Sequence, residues 1–407
     1  MTQNAARTLP APGRPTPSAP ATPPGPASTG RLIGVDLARG LAVFGMYAAH
    51  VGPDPSRGGA TGFLMELAHG RASALFAFLA GFSIVLMTGR RTPKTGRAGR
   101  QAVAKVVIRA LILLLLGTAL TLYGTPVEVI LAFYGLYFLL VLPLYRLSAK
   151  PLAVIAAASA LVLPQVLYVI QQHLPYETGS GSLWTWPDNA DGLVSLLFTG
   201  SYPALSWVPF VIAGMAVARL DLAATAVRIR LAVTGVCLAV VGYGGSWLAL
   251  HLVPGAAAAL ADSGYGEGSS ALSAWWSDIA GYPTGDTAAW LLAASPHSET
   301  TLSIVANTGV AVAVLALCLI AADALPRFRR LATPVIAVGT MSLTAYVFHI
   351  VGIRLLGVEE LPGPSLHVLL GFIVAAMVFA TLWSRFFGRG PLEWLLGMAT
   401  RPAQYVK

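Results

Sequence analysis

Three ionisable side chains in the first apolar segment have types and spacing that could do chemistry: Asp36, Arg39 and His50. Asp36 and Arg39 are three positions apart and share a helix face, so they can form an ion pair. His50 follows Arg39 by eleven residues. Their side chains therefore point to nearly the same side, ~16 Å apart along the helix axis. This geometry suits a passage with a cation that holds a phosphate or carbonyl at one end and a base at the other. It equally fits an ion pair that locks helices together, with His50 at the membrane interface.

A second polar stripe lies near the C-terminus. Tyr346 and His349 share a helix face, and Arg354 follows about a turn and a half later. Ionisable groups are expensive to bury in lipid, so such a stripe is more typical of a cavity wall than of a lipid-facing surface. His69 stands at the start of another apolar segment. Because histidine is the natural general base near neutral pH, these histidines are candidates for proton transfer.

Two other kinds of site are disfavoured by the sequence. No HExxH or paired Cys/His motif occurs, so we expect no metal. A phosphate-binding glycine loop is also absent, so the sequence does not indicate an ATPase. Cys237 and Cys318 both lie in apolar segments, where they are interpreted as packing residues and not as part of a disulfide framework or zinc site.

The elements that must position these residues are membrane helices. The chain is 56% hydrophobic and 11% charged, whereas soluble domains carry roughly 25% charged residues. Apolar runs long enough to cross a bilayer recur along nearly the whole chain. They predict an all-α polytopic membrane protein with about ten helices in one bundle, over residues 31–52, 65–89, 103–123, 127–146, 151–171, 202–219, 230–252, 300–322, 334–356 and 365–387.

The distribution of charge predicts the orientation. The net charge of +9 comes from basic residues that cluster in alternate short connectors, which is the positive-inside pattern and not a nucleic-acid signal. Ten spans with a cytoplasmic N-terminus place all these basic groups inside, and they place the acidic connectors and all seven histidines on the outer side. We therefore expect a multi-pass protein of the bacterial inner membrane, with both termini cytoplasmic and the lipid bilayer as its partner. Nucleic acid is set aside as a partner.

Composition also suggests the domain boundaries. Residues 1–30 are rich in proline and alanine and lack the apolar region of a secretory signal, which predicts a disordered cytoplasmic tail. Residues 31–390 form the helical domain, and 391–407 a short cytoplasmic segment. The long outer loops 172–201 and 253–299 carry tryptophans that fit either interfacial anchors or a platform on which a sugar stacks.

Several motifs resemble those of known families. Arg31–His50 resembles the first helix of the transmembrane acyltransferase superfamily, and Phe76–Ser83 resembles its second. Tyr202–Gly214 is similar to the Tyr-Pro…Gly helix of the heparan-alpha-glucosaminide N-acetyltransferase-like branch. Gly339–His349 and Gly390–Trp394 are similar to an uncharacterised bacterial membrane family that ends in Gly-Pro-Leu-Glu-Trp.

This resemblance implies a membrane-embedded acyltransferase. Acetyl-CoA or another acyl-CoA would be the cytoplasmic donor, and an extracytoplasmic sugar or other small acceptor would receive the acyl group. Arg39, with Asp36, would help to hold the donor, and a histidine would accept the acceptor's proton or carry the acyl group. The heparan-type enzymes have Asn at the position of His50 and take their catalytic histidine from the loop in which His69 lies. His50 instead fits the Arg-x10-His spacing of the other large acyltransferase branch. The resemblance therefore implies His50 as the first candidate for catalysis and His69 as the second.

Two other functions remain open from the sequence. In a transporter, Asp36, Arg39, Tyr346, His349 and Arg354 would line a substrate or proton path, although no clear internal repeat supports this. In a scaffold or regulatory subunit, the same buried groups would be structural. The sequence leaves a homodimer open.

Overall fold

The computed structural model describes residues 32–173, 192–263, 271–277, 287–358 and 365–407, and these residues form helices and connecting segments without a β-strand. The predicted tail 1–30 lies outside the described residues, as do Trp184 and Trp186 of the first long loop. The second long loop is described in part and includes Trp275 and Trp276.

The described residues include fifteen α-helices, and each predicted membrane segment contains at least one of them. They are α1 Ile33–Val51, α2 Gly59–Ala68, α3 Arg71–Thr88, α4 Gly96–Leu122, α5 Ile130–Val141, α6 Ala149–His173, α7 Ala204–Ala218, α8 Thr225–Leu252, α9 Ala256–Asp262, α10 Thr301–Ala324, α11 Pro326–Leu331, α12 Thr333–Thr340, α13 Ser342–Leu355, α14 Leu366–Phe386 and α15 Pro391–Ala399.

The protein is a multi-pass membrane protein. Within the described residues, six helical segments are long and apolar enough to cross a bilayer: Gly59–Thr88, α4, α6, α8, α10 and α14. A bent pair of helices, α12 and α13, brings the number to seven if it counts as one span, and α5 and α7 are shorter apolar helices. The all-helical membrane architecture is confirmed, whereas the count of ten spans stays a prediction.

Glycines bring the central helices into close contact. A Cβ atom at Gly339 of α12 would clash with the carbonyl oxygen of Asp36, and one at Gly40 of α1 would clash with that of Val335. Small residues at such positions let membrane helices approach closely. Helix α1 is therefore held backbone to backbone against α12.

The same device joins α3 to α7. Gly81 faces the carbonyl of Val211, and Gly214 faces the carbonyl of Phe78, with no room for a Cβ atom at either glycine. These two glycines belong to the motifs that resemble acyltransferase helices. They allow two helices to come together.

The predicted segment 334–356 is broken and does not form one straight helix. Its two helices, α12 and α13, meet at an angle of 88°. The first free N–H groups of α13 point to the carboxylate of Glu393, which accepts hydrogen bonds from the backbone nitrogens of Leu343 at 2.8 Å and Thr344 at 3.2 Å. A carboxylate is favourable at a helix N-terminus because that end carries unsatisfied donors and partial positive charge. The Gly-Pro-Leu-Glu-Trp motif thus caps the break.

The described part of the loop 253–299 has a small apolar core of its own. Trp290 and Leu250 are buried in it, and Trp275 packs against it. Buried Arg71 ties this layer to the bundle: it donates to the carbonyl oxygen of Trp276, and its guanidinium lies 5.1 Å from the ring centroid of Tyr243. Trp275 and Trp276 are half-buried and take part in this packing.

Candidate active site

His50, near the C-terminal end of α1, contacts His349 in the middle of α13. Nδ1 of His50 lies 2.9 Å from Nε2 of His349, and the two rings stack with centroids 5.2 Å apart. His349 is buried and His50 is half-buried. The 88° break sets the course of α13, and this course brings His349 to the end of α1.

The hydrogen bonds fix the tautomers of this histidine pair. Nδ1 of His349 faces the carbonyl oxygen of Tyr346, which can only accept, so this nitrogen carries a proton. Nε2 of the neutral His349 ring is then an acceptor, and Nδ1 of His50 must be the donor. Nε2 of the neutral His50 ring is left with a lone pair. The relay from the Tyr346 carbonyl through His349 to His50 therefore presents a base, in the way that an orienting group prepares a catalytic histidine.

Tyr47 holds the pair in position. Its hydroxyl donates to the carbonyl oxygen of Ala345 at 2.8 Å, and its ring centroid lies 4.5 Å from that of His349. Tyr47 is buried. A packed ring on one side and two hydrogen bonds on the other restrict the imidazole of His349 to one orientation.

Two further histidines lie near His50. His69, at the junction of α2 and α3, and His297 are both close enough to act electrostatically on the His50 ring. The segment with His297 touches the α2–α3 junction, because a Cβ atom at Gly70 would meet Pro296. We call the region of His50, His69, His297 and His349 the histidine end of the site.

Glu299 is a buried acid next to the histidine end that the sequence did not single out. It accepts hydrogen bonds from the hydroxyl of Ser206 and, at 3.0 Å, from Nε1 of Trp207. Burial raises the pKa of Glu299 to about 7, against the lowering effect of those two bonds. His297 and Glu299 both have left-handed backbone conformations, with φ of 57° and 58°. Such strain in non-glycine residues tends to collect at functional sites.

Arg39 lies in the other half of α1, with a different set of neighbours. It pairs with Asp36 at 3.3 Å, as the spacing predicted, and donates from Nη2 to the hydroxyl of Ser83 at 2.8 Å. Arg39 and Arg109 of α4 line the same cavity, whose other walls are mostly apolar. We call this cavity, with Arg39 and Arg109, the arginine end of the site.

Arg109 is the second residue that the sequence did not single out. Its Nε is buried and has no hydrogen-bond partner among the described residues. Arg39 and Glu393 are both within electrostatic range of its guanidinium. Two guanidinium groups against an apolar wall form a site for a polar or anionic group, since arginine presents several donors in a fixed plane.

A chain of aromatic rings connects the two ends. Phe76 lines the cavity at the arginine end and stacks on Tyr346, with centroids 6.3 Å apart. The Tyr346 ring lies 5.0 Å from that of His349. Tyr346, which was expected to line a cavity, is buried, and its hydroxyl accepts from the backbone nitrogen of Ile130 at 3.2 Å. Its ring is a separating layer between the cavity and the histidine pair.

The remaining candidates divide in the same way. Asp36 and Arg39 come together, as do His50 and His349, and His69 lies near them. Arg354 is exposed in the last turn of α13 and does not line the cavity at the arginine end. Among the described residues, no three His, Cys, Asp or Glu side chains are grouped as metal ligands.

Comparison with protein families gives this geometry a context. Residues 31–250, more than half of the 407-residue chain, match the model of the heparan-alpha-glucosaminide N-acetyltransferase catalytic family. The chain belongs to that family. The matched residues include Arg39 and Arg109 of the arginine end together with His50, His69 and Trp207. The protein is accordingly an acetyltransferase-like membrane enzyme.

A second family model covers the C-terminal part. Residues 270–402 match a family described as protein of unknown function (DUF418). This region supplies His297, Glu299 and His349, so the histidine end combines residues from both family regions. No curated protein matches the chain.

Proposed function

We propose that the protein transfers an acyl group, most simply acetyl, from cytoplasmic acyl-CoA to a hydroxyl or amine of a small extracytoplasmic acceptor such as a sugar. His50 is the general base. The observation that carries this proposal is the relay of hydrogen bonds from the Tyr346 carbonyl through His349 to His50. This relay leaves Nε2 of His50 with a lone pair that can accept a proton.

The proposed step is an acyl transfer. The acceptor oxygen or nitrogen attacks the thioester carbonyl carbon, and Nε2 of His50 takes the acceptor's proton. The carbon–sulfur bond breaks as the new carbon–oxygen or carbon–nitrogen bond forms, and the CoA thiolate leaves and is reprotonated. When bound, acyl-CoA supplies the activated thioester, and the protein supplies position and the base. General-base catalysis of this kind contributes typically about 10²–10⁴-fold.

The arginine end is the proposed donor site. Arg39 and Arg109 provide donors for a carbonyl or phosphate oxygen, and the apolar wall beside them suits the pantetheine arm. The stacked rings of Phe76 and Tyr346 lie between this cavity and the histidines. The thioester must therefore pass these rings to reach His50, and movement of both the Phe76 and the Tyr346 rings would open the way.

The direct test uses protein in lipid nanodiscs with acetyl-CoA labelled in the acetyl group. Acetyl-CoA is expected to bind saturably, and label is expected to appear on glucosamine or a simple glycoside. Proteoliposomes with donor on one side and acceptor on the other test the direction of transfer. Folded protein that binds no acetyl-CoA and labels none of these acceptors would contradict the proposal.

A permease is the second candidate, favoured by the broken helix pair α12 and α13. Half-helices with free N-termini bind anionic substrates in transporters. Here the N-terminus of α13 is occupied by Glu393 of the same chain, which weakens this reading. Uptake of an unmodified solute into proteoliposomes, without acyl transfer, would favour the permease.

A further inference from the structure

An apolar cavity of about 320 Å³ lies between α13 and α14, beside the histidine pair. His349 and Tyr47 form part of its wall, and the rest of the wall is glycine and apolar side chains. For scale, a dry engineered cavity of about 150 Å³ is large enough to take up benzene. This cavity is separate from the one at the arginine end.

The side chains of the wall have no hydrogen-bond donor left to offer, and the hydroxyl oxygen of Tyr47 is the one strong acceptor among them that keeps a lone pair. Tyr47 already donates its hydroxyl proton to Ala345, and the two ring nitrogens of His349 already face His50 and the Tyr346 carbonyl. A buried water molecule needs about two to four polar partners. A polar ligand group in the cavity would lose its hydration without gaining such partners. The wall therefore selects hydrocarbon.

Small residues on the two facing helices create the space. Small residues in membrane helices ordinarily let the helices pack closely. Here a Cβ atom at Gly371 of α14 would meet nothing within 4 Å, and one at Gly352 of α13 would meet only the ring of Phe372. These glycines leave a gap between the helices and do not close it.

The cavity opens on the outer surface of the helix bundle, which faces lipid in a membrane. Phe348 and Leu356 line it and are 48% and 71% exposed. On α14 the neighbouring residues Val374 and Val378 are also exposed and apolar. In a bilayer, apolar side chains that are exposed on a membrane helix face lipid tails. A hydrocarbon chain can therefore enter from the membrane and end at His349.

We propose that this cavity binds the hydrocarbon chain of the acceptor, which is thus an amphiphile with an alkyl chain and a hydroxyl or amine head group. The proposal deepens the function proposed above and rests on it for the head group. Two observations support this occupant: the wall favours hydrocarbon, and His349, which forms part of the wall, is hydrogen-bonded to the proposed base. A chain with its tail toward the lipid and its head-group end at His349 would hold the head group beside the histidine pair.

The test uses protein in nanodiscs with labelled acetyl-CoA and compares two acceptors that share the same head group. One is octyl β-glucoside, used below its micellar concentration, and the other is methyl β-glucoside, which lacks the long chain. Gly371→Leu places a side chain in the cavity and improves the helix propensity of α14, so the variant should fold. It is expected to raise KM for octyl glucoside about tenfold and to leave that for methyl glucoside unchanged. The matched control Val374→Leu, on the exposed face of the same helix, should change neither.

Some kinetic results would overturn the proposal. Gly371→Leu could affect both acceptors equally, or neither. It could instead alter the discrimination between acetyl-CoA and decanoyl-CoA, which would assign the cavity to the donor's acyl chain.

A binding measurement separates this proposal from the proposed function. Octyl glucoside with a photoreactive diazirine in its chain is expected to cross-link to α13 and α14 in the unaltered protein, and to lose that cross-link in Gly371→Leu. Cross-linking without any acyl transfer would keep the cavity and reject the acyltransferase. Transfer without cross-linking at α13 and α14, or a phospholipid that octyl glucoside does not displace, would reject the cavity as the acceptor site.

Discussion

The histidine end and the arginine end lie along the same helix, α1, but they differ in the kind of polar group that they present. At the histidine end, two rings are joined by a 2.9 Å hydrogen bond whose direction is set by a backbone carbonyl. At the arginine end, Arg39 and Arg109 line a cavity with mostly apolar walls. One end has groups that can exchange a proton, and the other has permanent cations.

In the proposed acyl transfer, this difference assigns the two parts of the reaction to two places. A guanidinium keeps its proton at any physiological pH and can therefore only bind and polarise. An imidazole with a free lone pair can take a proton. Changes at the histidine end should therefore affect turnover, whereas changes at the arginine end should affect donor binding.

The largest effect is expected at the histidine end. His50→Ala removes the base and should lower kcat by about 10³-fold, within the range typical of general-base catalysis, while the Kd for acetyl-CoA stays the same. His173→Ala is the matched control, since His173 is an exposed histidine whose hydrogen bond within the described residues is a local one, to the carbonyl of Val169. A His50→Ala enzyme that keeps its turnover would remove His50 from the chemistry.

A smaller effect of the opposite kind is expected at the arginine end. Arg109→Met keeps the volume but removes the charge, and it should weaken acetyl-CoA binding by about 10- to 100-fold, the cost of a hydrogen bond to a charged group. Lys105→Met, an exposed position on the same helix, serves as the control. Calorimetric titration with acetyl-CoA measures both. Unchanged donor affinity with lost turnover would invert the assignment of the two ends.

The smallest expected effect concerns Glu299, which lies beside the histidine end. Its pKa is raised from 4.5 to about 7 in the folded protein, so the folded state favours the neutral acid. The stabilisation is complete below pH 4.5 and is lost as the pH rises through about 7, by on the order of 3 kcal/mol. As the pH is raised from 4.5 to 8 in detergent, the melting temperature of the unaltered protein should therefore fall more than that of Glu299→Gln. Parallel curves for the two proteins would show that Glu299 does not titrate in this window.

Local spacing and apolar runs were enough to predict much of this molecule. The helical segments follow from runs of apolar residues that must satisfy their own backbone hydrogen bonds in lipid. The Asp36–Arg39 pair follows from the geometry of a single helix. The resemblance to acyltransferases rested on glycines such as Gly81 and Gly214, and the structure shows why: they allow two helices to touch.

Long-range contacts could not be predicted in this way. His50 and His349 are 299 positions apart, and their contact depends on the break between α12 and α13. That break in turn depends on the cap that Glu393 supplies from α15. Arg109 sits in a long apolar helix and Glu299 in a loop that follows no period, so neither stood out. A signal was present for Arg109, because an arginine inside a predicted membrane segment is costly in lipid.

The central claim is that His349 acts through His50, and a double-mutant cycle on transfer rates tests it most directly. His50→Ala, His349→Ala and the double variant are compared with the unaltered protein at saturating acetyl-CoA. If the two rings act as one unit, the double variant should be no slower than His50→Ala alone, since effects within a functional unit are not additive. If the two single losses multiply in the double variant, the rings act independently, and the relay proposed here is contradicted.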